Sequence, residues 1–192
     1  MPIKIGVLIS GGGTNLQSII DSIEAGDLDG EISLVVSNKP DAFGLERAKK
    51  HGISHKLIDF KEADDFDLLS ENLKDLDLIV LAGFLVILPK EFVEEFSGKI
   101  INLHPSLLPK HGGDGMYGLN VHESVINSGE NLSGATIHYV DEGTDTGEII
   151  VQEMVNVYKS DKPEDLAERL SYVEHELIVE GIKRWKYENG FN

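Results

Sequence analysis

The 192 residues carry 17 basic and 34 acidic side chains, a formal charge of −17, seven histidines and no cysteine. That composition excludes disulfides and thiolate metal centres, and with no basic run it argues against a nucleic-acid partner, whose phosphates are met by basic faces. No apolar run reaches the roughly 18 residues of a membrane helix, and Met1-Pro2-Ile3-Lys4 lacks a signal-peptide pattern. One cytoplasmic domain over residues 1–192, with no membrane partner, is expected.

Ile3–Ile9 is an apolar run rich in β-branched residues, closed by the glycine loop 10–13, and reads as a buried parallel strand. Residues 15–25 repeat apolar side chains at Leu16, Ile19, Ile20 and Ile23, a helical stripe. A strand is expected over 32–37, a helix over 42–51 stopped by Gly52, and a short strand over 55–58. A helix over 65–73 and a strongly apolar strand over 76–81 follow, then a helix over 89–96 with proline in its first turn and a strand over 100–103. The second half changes character. Residues 110–119 form a glycine-rich loop, 122–128 a helix, and 135–140 with 149–157 a pair of hairpin strands. A long helix starts at about Lys162, with Ser160 or Asp161 as its cap and Pro163 in its first turn. Leu166, Leu170, Val173, Leu177 and Ile178 line one face of it, so it should pack on the sheet. The order is that of an α/β fold: a doubly wound, mainly parallel sheet, Rossmann-like in its first half, with an antiparallel hairpin in its second. Ligands of such sheets gather at the C-terminal ends of the strands.

Three stretches carry chemistry. Pro105 and Pro109 prevent the strand at 100–103 from continuing as a central one, which leaves Asn102 and His104 at its end. Their spacing of two puts both side chains on the same side. An amide donor thus stands beside an imidazole that can pass a proton. Residues 138–147 read as a strand running into a carboxylate-rich loop, placed to bring Asp145 up to His104; a structural histidine fits the same pattern. The loop 10–15 follows a strand and opens a helix, so it is either an ordinary turn or a cradle for one phosphate group. It is no Walker loop, and Leu16 stands where a dinucleotide fingerprint has its third glycine. Residues 81–88 stay apolar beyond their strand, as core packing or as a slot for a flat ring. No histidine pair has helical metal-ligand spacing beside carboxylates, so no metal is expected.

Asn-Leu-His-Pro-Ser-Leu-Leu-Pro at 102–109, followed by His138-x-Val140 and Asp145-x-Gly147, resembles the folate-dependent formyltransferases. Ile9-Ser10-Gly11-Gly12-Gly13-Thr14-Asn15-Leu16-Gln17 narrows the resemblance to the phosphoribosylglycinamide (GAR) formyltransferases, and it extends from Ile3 to about Trp185. It implies direct formyl transfer from the co-substrate 10-formyltetrahydrofolate to the amine of GAR, in purine biosynthesis. Asn102, His104 and Asp145 would be catalytic. The amide donates to the tetrahedral oxyanion, His104 moves the proton, and Asp145 raises the imidazole pKa. Gly13, Thr14, Asn15, Glu174 and His122 would bind GAR. Lys61, Leu85, Val86, Ile87, Leu88, Asn102, Asp141, Glu142, Gly143 and Thr144 would bind the folate. Val86 stands where family members often carry a basic residue, and 111–118 departs from their shorter loop. Rivals are the 10-formyltetrahydrofolate hydrolases, usually preceded by a regulatory domain whereas this chain starts at its first strand, the methionyl-tRNA formyltransferases, and a non-catalytic nucleotide-binding module. Oligomeric state is open.

Overall fold

A computed structural model of the chain describes residues 2–62 and 64–191. Its strands are β1 (Ile3–Ile9), β2 (Gly30–Ser37), β3 (His55–Leu57), β4 (Leu78–Leu81), β5 (Ile100–His104), β6 (Leu132–Tyr139) and β7 (Ile149–Asn156). Its helices are α1 (Thr14–Glu24), α2 (Phe43–Lys50), α3 (Asp64–Leu73), α4 (Lys90–Glu95), α5 (Leu119–Asn127) and α6 (Pro163–Glu188). The strands form one sheet in the order β3-β2-β1-β4-β5-β6-β7. Neighbours from β3 to β5 run parallel, whereas β6 is antiparallel to β5 and β7 to β6. The sheet is thus the doubly wound α/β arrangement expected from the alternation of strands and helices. Connections leave β1 toward one edge and β4 toward the other, so the crevice of the sheet opens between the C-terminal ends of those two strands.

Apolar side chains on both faces of the central strands explain why these runs do not alternate. One cluster joins Val7, Ile9 and Val80 to Leu16 and Ile19 of α1 and to Leu170, Ile178 and Trp185 of α6. The other joins Leu8, Val36 and Ile79 to Leu69 and Leu73 of α3 and Phe92 of α4. Helix α6 lies close on β6 at Gly181, where an added Cβ would come within 2.7 Å of Ile137 Cγ2. A side chain there would lift the helix and with it Glu174.

The expected elements all appear, with ends displaced by a few residues. β4 begins at Leu78 rather than Leu76, because the Leu76 N–H bonds back to Leu73 and closes the turn after α3. The cap of α6 is neither Ser160 nor Asp161. The helix starts at Pro163, and Asp165 accepts the N–H of Lys162 at 2.9 Å. Asp161 is committed to Arg169, which donates to its two oxygens at 2.7 and 2.9 Å. Among the described residues no helix is long and apolar enough to cross a membrane.

Candidate active site

At the crevice the loops after β1, β2 and β4 are tied by one hydroxyl. Ser10 Oγ donates to Asn38 Oδ1 at 2.6 Å and accepts the N–H of Leu85 at 2.8 Å. This clamp holds the apolar loop after β4 open above a cavity of about 570 Å³. Leu85, Val86, Ile87 and Leu88 line one part of its wall, and Asp141, Glu142, Gly143 and Thr144 another. The acidic segment is braced: Asp141 accepts from Gly143 N–H and Thr146 Oγ1, and Glu142 pairs with Lys90 at 2.8 Å.

Asn102, His104 and Asp145 all line this cavity, together with His138. The first two come from β5, two residues apart on one side of the strand. Asn102 is registered opposite His138 on β6, and its Nδ2 lies 3.1 Å from His138 Nε2 and 3.5 Å from Asp145 Oδ1. Asp145 enters from the loop after β6 in a left-handed conformation, φ 58°. Its Oδ2 lies 3.4 Å from His104 Nδ1, with the two side chains 10% and 4% exposed. The tautomers follow from fixed acceptors. His104 Nε2 donates to the His111 carbonyl at 2.8 Å, and His138 Nδ1 to the Tyr139 carbonyl at 2.8 Å. His138 Nε2 is then free to accept from the Asn102 amide.

Asp145 acts to raise the pKa of His104, as expected from the sequence, but burial outweighs it. Burial pushes the imidazole below its ordinary value, and the attraction of Asp145 and the His111 carbonyl recovers only part of that loss. The resting ring is therefore neutral at pH 7. For Asp145 burial acts upward, but the His138 ring at 3.6 Å and His104, each when protonated, and the Gly113 N–H act downward and leave the carboxyl below its ordinary value. A neutral base thus faces a permanent carboxylate.

The glycine-rich loop, whose contacts the sequence left open, grips both partners of that pair. Its His111 carbonyl holds the imidazole, while its Gly113 N–H donates to Asp145 Oδ2 at 3.0 Å. The one sequence signal for such a strap is the run of glycines a few residues beyond His104. His138, also unassigned from sequence, orients the Asn102 amide.

Elsewhere in the cavity Asn15, at the start of α1, donates from Nδ2 to Glu174 on α6 at 3.2 Å. Burial pushes the Glu174 carboxyl up, and the Asn15 bond offsets part of the rise. His122 on α5 also lines the wall; burial, then the charge of His104, pushes it down to about 4. It is a neutral donor or acceptor there and not a cation for phosphate. Asn15 Oδ1 and His122 Nδ1 are buried with no partner among the described residues. Gly13, the residue before α1, and Thr14, its first residue, precede Asn15 but lie outside the lining, and Gly13 adopts a left-handed φ of 66° against Gly44. Lys61 is not brought to the cavity at all: its side chain is 74% exposed and paired with Asp59. Among the described residues no cluster could hold a metal ion.

Residues 3–182 match the family described as formyl transferase. The chain belongs to the formyl transferase family. It is 41% identical over 186 residues to the phosphoribosylglycinamide formyltransferase, chloroplastic, of Arabidopsis thaliana, covering 93% of this chain and 64% of that protein's length. Among solved structures, glycinamide ribonucleotide transformylase 1 of Symbiobacterium toebii superposes with a TM-score of 0.87 at 37% identity, covering 94% of this chain and 86% of that one. A formyltetrahydrofolate deformylase of Pseudomonas syringae superposes with a TM-score of 0.86 at 27% identity, over 95% of this chain and 60% of its own. The wall of Leu85 to Leu88 offers the cavity an apolar surface.

Proposed function

We propose that the chain transfers the formyl group of 10-formyltetrahydrofolate to the amine of GAR in purine biosynthesis. One observation carries the reading. The cavity that holds Asn102, His104 and Asp145 also holds Glu174 with two buried, unpartnered polar atoms, Asn15 Oδ1 and His122 Nδ1. Buried polar atoms cost free energy unless a ligand satisfies them, so this part of the cavity is built for a polar substrate. Water as acceptor would need no such site.

The roles follow from the geometry. Asn102 donates to the formyl oxygen as the carbon turns tetrahedral, giving up its weak 3.5 Å approach to Asp145. His104 Nδ1, unprotonated at rest, takes the proton of the attacking amine. The imidazolium that forms lies between the Asp145 carboxylate and the His111 carbonyl, and so is stabilised on both sides. His104 then returns the proton to the folate nitrogen as the carbon–nitrogen bond breaks, and the formyl group leaves on GAR. Glu174 and Asn15 take the glycinamide end, with the loop of Gly13 and Thr14 toward the phosphate. The walls of Leu85 to Leu88 and Asp141 to Thr144 take the folate. Both partners are small molecules, and a charge of −17 supports neither nucleic acid nor membrane, in keeping with a cytoplasmic enzyme.

Consumption of 10-formyltetrahydrofolate, followed by absorbance, should be slow alone and rise steeply and saturably with GAR. Rapid deformylation that GAR does not stimulate would overturn the proposal in favour of the hydrolase.

A further inference from the structure

His111 is one of the few described non-glycine residues with positive φ, at 56°, a conformation that favours glycine. Two glycines follow it, yet the position itself carries an imidazole. That ring is anchored: Nδ1 lies 2.8 Å from Ser124 Oγ on α5, and Nε2 is buried with no partner among the described residues. The carbonyl of the same residue accepts from His104 Nε2 at 2.8 Å, with Ser106 Oγ a further 3.4 Å contact. The loop packs closely beside the pair: an added Cβ on Gly112 would meet Leu108 at 2.5 Å and Asp145 Cβ at 3.2 Å.

The two acceptors around His104 compete for one proton. A neutral imidazole carries a single N–H, which can go to the His111 carbonyl from Nε2 or to the Asp145 carboxylate from Nδ1. The carboxylate is the stronger acceptor in general, but it stands at 3.4 Å and the carbonyl at 2.8 Å. If the carbonyl moved, the proton would pass to Nδ1 and occupy the atom that must receive the proton of the amine.

We propose that His111 is a positioning residue for the transfer: its ring, held by Ser124, fixes a left-handed backbone whose carbonyl keeps the His104 proton on Nε2 and leaves Nδ1 as the base. The consequence for rate rests on the formyl-transfer reading, whereas the tautomer is a property of the free protein. Ser124→Ala removes the anchor without touching the loop, and His111→Gly keeps the backbone freedom without the ring. His111→Asn retains a left-handed preference and an amide able to reach Ser124.

The test is the nitrogen-15 spectrum of the His104 ring in substrate-free protein, with kcat and KM of each variant. Wild type should show the proton on Nε2. Ser124→Ala and His111→Gly should shift it toward Nδ1 and lower kcat on the order of tenfold to a hundredfold, with KM for both substrates nearly unchanged. His111→Asn should restore both the tautomer and much of the rate. An unchanged tautomer with kcat within twofold of wild type in both weakened variants would overturn the proposal, as would a loss confined to KM. Because the ring is read without substrate, a wild type unable to formylate GAR would overturn the functional reading alone.

Discussion

His104 Nδ1 lies 3.4 Å from Asp145 Oδ2, and both side chains are almost wholly screened from water. Such a pair can store a charge only briefly: burial keeps the imidazole neutral, while the carboxylate stands ready to stabilise the cation once a proton arrives. The arrangement suits a group that accepts and returns a proton within one turnover.

Asp145→Asn should therefore lower kcat by on the order of a hundredfold or more while the affinity for a folate analogue stays within a few-fold. It should also move the acid limb of the pH profile. In the proposed mechanism the active form is neutral His104, so the rate falls as pH drops through its pKa, which already lies below the usual histidine value. Asp145 acts to raise that pKa, so its removal should shift the limb to lower pH. A limb shifted upward, or turnover close to wild type, would contradict the assignment.

Glu174 gives a prediction about stability as well as binding. Burial holds its carboxyl above the ordinary value, so the folded chain binds this proton more tightly than the unfolded chain. The stabilisation it gives is present at low pH and is lost as pH rises through the folded value. Glu174→Gln removes the buried charge. Its Tm should exceed that of wild type at pH 8, with the gap closing toward pH 4, while the KM for GAR rises about tenfold or more through the lost charged hydrogen bond. Thermal unfolding at the two pH values and GAR titrations check both halves; a variant less stable at pH 8 would contradict the account.

Much of this was legible in the chain. The strand–helix alternation gave the sheet, and a spacing of two put Asn102 and His104 on one side of β5, where the structure has them. What was not legible depends on backbone groups and on burial. The carbonyl of His111 and the N–H of Gly113 reach the pair through loop geometry that no side-chain pattern encodes. The sign of the His104 shift needed the depth of its burial, because a carboxylate neighbour alone argues the opposite way. Lys61 was expected to bind the folate, but nearby Asp59 takes its side chain.

The glycine loop separates two roles in neighbouring residues. Gly13 has φ 66°, and a Cβ there would lie 2.6 Å from the Cα of Gly44, so Gly13→Ala strains the backbone and pushes α1 from α2. A cost of about 1–3 kcal/mol corresponds to a Tm lower by roughly 3–10 °C, with both ligands weakened together. At Gly12 an added Cβ meets nothing within 4 Å and φ is not positive. Gly12→Ala should unfold within about 2 °C of wild type and still raise the KM for GAR, leaving folate-analogue binding intact. Calorimetry with each ligand distinguishes the two; equal loss of both in Gly12→Ala would remove this loop from the acceptor site.

Asn102→Asp tests the oxyanion donor with almost no change of shape. The amide Nδ2 lies 3.1 Å from His138 Nε2 and 3.5 Å from Asp145 Oδ1, so the substitution replaces a donor by an acceptor and sets two carboxyls side by side. Two carboxylates at that distance cannot both ionise freely, and one of the two pKa values must rise. Loss of the donor should cost about a hundredfold to a thousandfold in kcat, with the KM for GAR much less affected. Acidification would return an O–H donor by protonating one carboxyl, but it would also protonate His104 and remove the base. No pH should therefore restore the wild-type rate, and the residual activity should pass through a narrow maximum below neutrality. Steady-state rates across the pH range at saturating substrates decide it. A kcat within threefold of wild type at pH 7 would mean that the oxygen of the formyl group is held by another donor.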